Sequence, residues 1–262
     1  MVLEVKSLTK SFGGVMAVHD TSFHVNNGEI FALIGPNGAG KTTVFNLISG
    51  MLQPDKGEID FKGKSILGLE PYRIRQMGIA RTFQNLQLFS SLSALENVMV
   101  GAYLKGRKGF IQSLLHLPGV STEEEKIRQQ SLDCLEELGL ADEVNTLASV
   151  LPFGKQRLLE IARAICGSPE LILLDEPAAG LNAGETEQLA QFLKKLSKKG
   201  FSLILVEHDM NMVMEIADRI LVLNFGTPIS QGTPEEIQNN KLVRKAYLGE
   251  EEEFFYASSA RS

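Results

Sequence analysis

One run of eight residues combines glycines, a lysine and a threonine at a spacing suited to binding phosphate groups. The run follows the pattern GxxxxGK[ST] and consists of Gly35, Pro36, Asn37, Gly38, Ala39, Gly40, Lys41 and Thr42. The glycines allow backbone N–H groups to turn inward around phosphate oxygens, Lys41 can reach the β- and γ-phosphates, and the Thr42 hydroxyl can ligate Mg²⁺. A glycine-rich turn with a surface lysine is the alternative. We favour a nucleotide-binding loop that includes the next residue, Thr43, because a strand-like segment precedes the run and a helical pattern follows it.

A second group of chemically active side chains is an acid pair directly after an apolar run. Residues 171–174 read Leu-Ile-Leu-Leu and are followed by Asp175 and Glu176. At the carboxyl edge of a sheet, beside a phosphate-binding loop, Asp175 would hold Mg²⁺ through its water shell and Glu176 would polarise an attacking water. Taken alone, the pair could also be acids at the start of a helix. Together with the loop, the pair predicts phosphoryl-transfer chemistry.

The elements that must position these groups are visible as alternating strand-like and helix-like segments. Short apolar runs alternate with helical stretches, which is typical of a mostly parallel sheet. These runs are residues 29–34, 171–174, 203–206 and 220–223.

Other segments indicate a second kind of strand and an inserted helix. Residues 3–8 and 21–25 alternate apolar and polar residues, and Asn-Asn-Gly at 26–28 predicts a hairpin-type turn between strands. A long helix ending near Gly139 is expected to begin at a capping box formed by Thr122 and Glu125. Thr-Pro-Glu-Glu at 233–236 predicts a second capping box with proline at the first helical position.

Composition places the chain among ordinary globular proteins and disfavours several classes. The 262 residues are 44% hydrophobic and 22% charged, and the net charge of −6 leaves no basic surplus for binding a nucleic-acid backbone. The two cysteines, Cys134 and Cys166, stand far apart, so that neither a disulfide framework nor a zinc site is expected. The first residues lack a signal-peptide pattern, and no apolar run approaches the length of a membrane span. We therefore expect any membrane role to come through a partner.

Further motifs follow in a fixed order along the chain, and together with the first two they carry a family resemblance. They are Arg81-Thr82-Phe83-Gln84, Leu151-Pro152-Phe153-Gly154-Lys155-Gln156, Ala179-Gly180-Leu181-Asn182, and His208 after the apolar run 203–206. The chain resembles, over nearly its whole length, the nucleotide-binding subunit of an ABC transporter. The resemblance implies ATP and Mg²⁺ as cofactors and an ATPase activity.

The resemblance also implies a role for individual residues. Taken alone, Gln84 reads as a surface amide and His208 as a capping or core histidine. Their place in the motif order instead implies that Gln84 contacts Mg²⁺ and water and that His208 is catalytic beside Glu176. Phe12 could be core, but its place is similar to that of the family's adenine-stacking aromatic residue.

A signature loop that acts in trans is also implied, and here the chain departs from the family pattern. The loop would meet the γ-phosphate held by a second subunit, through Pro152, Phe153, Gly154, Lys155 and Gln156. The usual form has Ser-Gly-Gly where this chain has Pro-Phe-Gly. Proline offers neither a hydroxyl nor an N–H, so the site completed by this loop is expected to be slower.

Three stretches are similar to one branch of the family, the LivG-type ATPases of branched-chain amino acid importers. They are residues 176–182, 222–228 and 232–250, and the long segment 101–120 is similar to that branch as well. That segment is either a partner surface or a surface loop. The ATPases of amide or urea importers and of lipopolysaccharide exporters stay as alternatives. A soluble ABC protein is disfavoured because long coiled coils and a second cassette are absent, and a small P-loop kinase or GTPase because no NKxD-like element occurs.

The implied architecture is an α/β P-loop NTPase cassette with a RecA-like core, an antiparallel β portion and an inserted α-helical subdomain. We expect residues 1–84 and 155–262 to form the core and residues 85–154 the helical signature subdomain. The implied partners are two membrane permease subunits, a second ATP-binding subunit and a periplasmic or extracellular substrate-binding protein, with no nucleic acid. The implied location is the cytoplasmic face of the cell membrane.

Overall fold

The computed structural model describes residues 1–82, 86–103 and 120–247. The strands are β1 Leu3–Phe12, β2 Val15–Val25, β3 Ile30–Ile34, β4 Lys56–Phe61, β5 Lys64–Ser65, β6 Ile79–Arg81, β7 Leu171–Asp175, β8 Ser202–Val206, β9 Arg219–Asn224 and β10 Thr227–Gly232. The helices are α1 Lys41–Ile48, α2 Pro71–Met77, α3 Ala94–Tyr103, α4 Val120–Glu137, α5 Phe153–Cys166, α6 Ala183–Lys198, α7 Met210–Ile216, α8 Pro234–Asn239 and α9 Lys241–Tyr247. Short 3₁₀ turns occupy Ala141–Glu143 and Ala148–Val150.

The strands form two sheets. The six-stranded sheet has the order β10-β9-β3-β8-β7-β6, and β3, β6, β7, β8 and β9 pair in parallel. The four-stranded sheet has the order β2-β1-β4-β5 and is antiparallel. The predicted α/β fold class, with a parallel core and an antiparallel portion, is therefore confirmed.

The parallel sheet is buried on both faces, which explains why its strands read as continuous apolar runs. In β3, Ile30, Ala32 and Ile34 join one core cluster, which also contains residues of α3 to α8. The alternate residues Phe31 and Leu33 join a second cluster, which contains residues of α1 and of the antiparallel sheet. The same alternation holds in β7 and β8, so that the central strands are fixed between two apolar layers.

Two details of the sequence-based prediction are wrong. The turn at residues 26–28 does not join a hairpin, because β2 pairs with β1 whereas β3 pairs with β8 and β9 in the other sheet. The segment is a connection between sheets. The long helix begins at Val120, so that Thr122 lies within the helix and is not its N-cap. The second capping box is confirmed, with Thr233 and Glu236 each binding the backbone of the other.

The helical part of the chain lies between β6 and β7. Helices α3 and α4 pack against α5, which leads back to the sheet at β7. Within the described ranges, no helix combines the length and the apolar character required to traverse a lipid bilayer. The division into residues 1–84 with 155–262 and residues 85–154 stays a prediction.

Candidate nucleotide-binding and hydrolysis site

The predicted phosphate-binding loop connects β3 to α1. Gly35, Gly38 and Gly40 have φ of 155°, 77° and 101°, in the region that favours glycine. A Cβ at Gly35 would lie 2.2 Å from the carbonyl oxygen of Leu223, and one at Gly40 would lie 2.3 Å from that of Ala17. Gly35 and Gly40 are therefore required by both backbone conformation and close approach, and Gly38 by its backbone conformation alone.

The start of α1 has the electrostatics of an anion site. Gly40 is the N-cap, no side chain caps the helix, and its first turn contains no acidic residue. Its N-terminal N–H groups and the helix dipole therefore favour a bound anion. Lys41 is 6% exposed, and its ammonium donates to the carbonyl oxygens of Gly35 at 2.6 Å and Pro36 at 3.0 Å. The cation is thereby held over the loop.

The acid pair and the histidine come together at the same edge of the sheet. In the strand register, Asp175 of β7 is opposite Val206 of β8, and Val206 is also opposite Leu33 of β3. Because these strands are parallel, the residues that follow them emerge at one edge, where the phosphate-binding loop begins. His208 Nε2 lies 3.1 Å from Glu176 Oε1, and the two side chains are 47% and 21% exposed.

Glu176 has an uncommon backbone conformation, with φ of 49°. Its N–H donates to the carbonyl oxygen of Val206 at 2.9 Å, and its own carbonyl oxygen accepts from the N–H of Ala179 at 3.1 Å. A non-glycine residue in the left-handed region is held there by its surroundings, and such positions concentrate at functional sites. The turn directs the Glu176 side chain to His208.

Asp175 is buried and engaged by an arginine that the sequence analysis quoted without a role. Arg81, the last residue of β6, donates to Asp175 Oδ2 at 3.1 Å, to Asn46 Oδ1 at 2.7 Å and to Ser49 Oγ at 2.8 Å. Burial raises the pKa of Asp175, and the Arg81 guanidinium opposes that rise. Burial lowers the pKa of Arg81. Arg81 therefore ties the acid pair to α1, the helix of the phosphate-binding loop.

The oxygen donors of the site fit a magnesium ion. Thr42 offers an exposed hydroxyl at the start of α1, and Asp175 offers a carboxylate. Hydroxyl, carboxylate and phosphate oxygens are the ligands that Mg²⁺ uses in nucleotide sites. Across residues 1–82, 86–103 and 120–247, no group of three or more His, Cys, Asp or Glu side chains could hold a metal by itself. Gln84, the third predicted metal contact, lies outside the described residues.

Phe12 lies at the end of β1, next to a set of hydrogen bonds between Asp55 and residues Lys10 and Ser11, which we call the clamp. Its ring is 46% exposed, and Lys10 Nζ lies 5.6 Å from the ring centroid. Asp55 accepts from Lys10 Nζ at 2.8 Å and from the N–H and the hydroxyl of Ser11 at 2.7 and 2.8 Å. These hydrogen bonds, that of Lys10 foremost, lower the pKa of Asp55 to about 2. The clamp fixes the backbone that carries the exposed ring.

The predicted signature loop leads into α5. Pro152 is the N-cap, and the helix continues to Cys166. Phe153 is 48% exposed, and a Cβ at Gly180 would lie 2.6 Å from its ring. A Cβ at Gly154 would lie 2.3 Å from Glu185 Oε1, so that a larger residue there would have to displace the Glu185 side chain.

The last two residues of the signature loop bind residues that precede them in the same chain. The Lys155 ammonium forms an ion pair with Glu143 at 2.5 Å, and Gln156 Nε2 donates to the carbonyl oxygen of Leu151 at 2.9 Å. The loop therefore lies against residues 180–185 of its own chain, outside the cluster formed by Asp175, Glu176 and His208.

Two groups of functional interest have signals that the sequence analysis did not use. Arg81 is the last residue of the short strand β6, and its partners Asn46 and Asp175 are 35 and 94 positions away, so no local pattern identified them. Glu207 stands between an apolar run and His208, in the same position as the acid pair after its own run. The segments at 104–119 and 248–262 lie outside the described residues.

Comparison with known proteins identifies the family. The model of the ABC transporter family matches residues 18–179, and a model described as branched-chain amino acid ATP-binding cassette transporter matches residues 227–253. The chain is 43% identical to the high-affinity branched-chain amino acid transport ATP-binding protein BraF of Pseudomonas aeruginosa and 42% identical to LivG of Escherichia coli strain K12. Each alignment covers 95% of this chain and 98% of the relative.

Solved structures agree with this assignment. A nucleotide-free ATP-binding cassette from an ABC transporter superposes with a TM-score of 0.82 at 32% identity, and an ADP-bound cassette with a TM-score of 0.83 at 32% identity. Both comparisons cover 95% of this chain and 99% of the other. The resemblance inferred from the motifs is therefore confirmed. The chain belongs to the ABC transporter family of ATP-binding cassettes, ATPases by class, in the branch that contains the branched-chain amino acid transport ATP-binding proteins.

Proposed function

We propose that this chain is the ATP-hydrolysing subunit that powers import of leucine, isoleucine and valine across a cell membrane. The observation that carries the ATPase part is the 3.1 Å contact between His208 and Glu176 at the sheet edge where the phosphate-binding loop begins. The match of residues 227–253 to the branched-chain amino acid cassette supports the substrate class. No feature of the described residues favours the amide, urea or lipopolysaccharide alternatives.

The phosphate-binding loop holds the triphosphate of ATP. Backbone N–H groups of residues 37–43 surround the phosphate oxygens, and the Lys41 ammonium neutralises charge on the β- and γ-phosphates. Because Lys41 Nζ is already held by two loop carbonyl groups, its position is fixed before ATP binds. Phe12 stacks on the adenine ring.

Thr42, Asp175 and Gln84 are the residues that would hold Mg²⁺. The ion, when bound, neutralises charge that develops on the phosphate oxygens. The role of Asp175 is supported by its attachment to α1 through Arg81, which keeps the carboxylate beside the loop.

Glu176 orients and polarises the water that attacks the γ-phosphate. His208 positions the Glu176 carboxylate through their direct contact. The strained φ of Glu176 supports this role, since the turn holds the carboxylate at the sheet edge before ATP binds.

A second ATP-binding subunit completes the site. In this arrangement the signature residues 152–156 of one subunit face the γ-phosphate held by the other, and closure of the pair is the power stroke. Pro152 provides no N–H or hydroxyl, so this contribution falls to the Gly154 N–H and the positive end of α5. A mixed pair, in which a partner with a serine in its signature loop completes this chain's own site, fits that departure.

Two membrane permease subunits and a substrate-binding protein complete the proposed transporter. The cassette binds the permeases at the cytoplasmic face of the membrane, and Gln84 with the helical part of the chain transmits closure to them. Substrate specificity resides in the permeases and the binding protein.

The test is hydrolysis by the assembled transporter in proteoliposomes, measured together with uptake of radiolabelled leucine. Glu176→Gln should bind ATP as the wild type does and lose most hydrolysis and uptake, because the amide cannot polarise water as the carboxylate does. Lys41→Ala is the comparison variant and should lose ATP binding itself. Near wild-type hydrolysis by Glu176→Gln would refute the catalytic assignment. Uptake of urea or amides instead of leucine would refute the substrate class alone.

A further inference from the structure

A buried carboxylate next to His208 has no part in the mechanism described above. Glu207, the residue after β8, is 4% exposed. Its Oε1 accepts from the N–H of Ala178 at 2.6 Å, and its Oε2 accepts from the N–H groups of His208 at 2.9 Å and Asp209 at 3.4 Å. One side chain thus binds the backbone of two segments that are 29 positions apart.

These two segments carry the groups that face each other in the hydrolysis site. Ala178 follows Glu176 by two residues, and His208 is the neighbour of Glu207 itself. Asp209 in turn accepts from the N–H of Met212 at 3.1 Å and caps α7. The Glu207 carboxylate therefore connects the turn after β7 to the turn after β8 and to the start of α7.

The chemistry at this position is specific for a carboxylate. Burial raises the pKa of Glu207, and the hydrogen bonds from Ala178, His208 and Asp209 oppose that rise. Burial of a carboxylate is costly unless hydrogen bonds compensate for lost water, and all three protein partners are donors. A glutamine would bring its own NH₂ donors against these N–H groups. The surroundings therefore favour a side chain that only accepts.

We propose that Glu207 is a positioning residue for ATP hydrolysis. By joining the backbone of Ala178 to that of His208, it fixes the distance between the His208 ring and the Glu176 carboxylate. The inference rests on the proposed roles of Glu176 and His208. It goes beyond them in assigning their alignment to a residue that touches neither side chain and lies outside the P-loop.

The first test is Glu207→Gln in the full-length chain assembled with its transporter partners. We expect kcat for ATP hydrolysis to fall by about 10- to 100-fold, as for other disrupted active-site geometries. The dissociation constant for ATP should change by less than about twofold, because the carboxylate does not contact the loop that binds phosphate. A kcat within about twofold of the wild type in a folded variant would overturn the proposal.

A matched control separates positioning from general loss of a buried acid. Glu29 is 7% exposed and also has its carboxylate bound by a backbone N–H, that of Asn26, and by the Arg219 guanidinium. Glu29→Gln makes the same chemical change away from the site and should leave kcat within about twofold of the wild type. An equal loss of kcat in both variants would overturn the proposal.

A double-mutant comparison tests whether Glu207 acts through His208. In a His208→Ala background, Glu207→Gln should reduce kcat by less than about twofold further, because the group it positions is gone. A purely structural defect would reduce the active fraction equally in both backgrounds, and that result would overturn the proposal. If Glu207→Gln does not fold, Glu207→Asp keeps the charge but shortens the side chain by one CH₂, and wild-type kcat in that variant would overturn the proposal.

The two levels of inference fail in different ways. If Glu176→Gln loses hydrolysis while the Glu207 variants do not, the proposed function stands and the positioning role is refuted. If Glu176→Gln hydrolyses ATP at the wild-type rate, both are refuted, since Glu207 then has no catalytic carboxylate to align.

Discussion

The contact between Arg81 and Asp175 provides a quantitative test of how the site is held together. The two side chains are 8% and 5% exposed, and the same guanidinium also binds Asn46 and Ser49. We consider Arg81→Met, which keeps an unbranched apolar side chain and removes the charge and every donor. The change leaves Asp175 buried without the guanidinium that it pairs with.

The expected loss of unfolding free energy depends on whether Arg81→Met leaves Asp175 without its partner or is made in a variant that already lacks the Asp175 carboxylate. Removal of one partner from a buried ion pair costs about 3–5 kcal/mol of unfolding free energy. Burial already raises the pKa of Asp175. Loss of Arg81 raises the pKa of Asp175 further. Because the carboxyl group can then take up a proton and avoid a buried charge, we expect a cost at the lower end of this range, about 3 kcal/mol. In an Asp175→Asn background no ion pair is broken, and the same change loses chiefly the hydrogen bonds to Asn46 and Ser49, about 1.5 kcal/mol. The predicted coupling is the difference, about 1.5 kcal/mol.

The assay is unfolding of the nucleotide-free chain, followed by circular dichroism in urea and on heating. A loss of about 3 kcal/mol corresponds to a fall of roughly 6–12 °C in Tm for a chain of this size. Arg128→Met is the matched control, because Arg128 pairs with Glu125 at 3.9 Å on the surface and should cost less than about 0.5 kcal/mol. An Arg81→Met cost below about 0.5 kcal/mol, or equal costs in both Asp175 backgrounds, would refute the reasoning.

Three further outcomes are expected. Phe12→Ala should raise the Kd for ATP about tenfold in a nucleotide titration, because base–aromatic stacking contributes about 1–3 kcal/mol. Phe12→Tyr keeps an aromatic ring and should leave the Kd unchanged. An unchanged Kd in the alanine variant would contradict the stacking role. Pro152→Ser should increase ATP turnover at the site completed by this loop, because serine restores an N–H and a hydroxyl. Unchanged turnover in the ATPase assay would contradict the inference that Pro152 slows that site. Asp55→Asn should lower Tm at neutral pH, because the variant loses the carboxylate that binds Lys10 and Ser11. The pKa of Asp55 is about 2 in the folded chain against an ordinary value of 3.8, so the difference in Tm between the variant and the wild type should narrow as pH falls from about 4 towards 2. A difference in Tm that is independent of pH would contradict the clamp.

Local patterns predict the phosphate-binding loop and the acid pair, whereas the role of His208 is implied only by the family resemblance. The phosphate-binding loop is defined by eight consecutive residues, Asp175 ends an apolar strand, and Glu176 and His208 lie one and two positions beyond apolar strands. In a parallel sheet all strand ends meet at one edge, so that a one-dimensional signal predicts proximity in space. The contact between His208 and Glu176 is the outcome of that rule.

Pairings between distant segments were not predictable in the same way. Asn-Asn-Gly at 26–28 has the composition of a hairpin turn, but the strands on its two sides do not pair with each other. Strand β2 pairs with β1 and strand β3 pairs with β8, and the burial of each strand explains this choice. Strand β3 has all five residues buried and fits only the centre of a sheet covered on both faces, whereas β2 alternates exposed and buried residues and fits a sheet with one solvated face. Tertiary packing therefore overrides the local turn signal.

Asp175 and Glu207 illustrate what separates a predicted role from a missed one. Each is an acid directly after a run of four buried apolar residues, and both are buried at the same sheet edge. The neighbours of Asp175 are the Arg81 guanidinium and the Lys41 ammonium, cations that suit a site for charged phosphates. The neighbours of Glu207 are three backbone N–H groups, and both of its carboxylate oxygens accept hydrogen bonds from them. The same sequence signal thus gives a metal-ligand candidate in one strand and a structural clamp in the next, because the partners of each carboxylate come from segments remote in the chain.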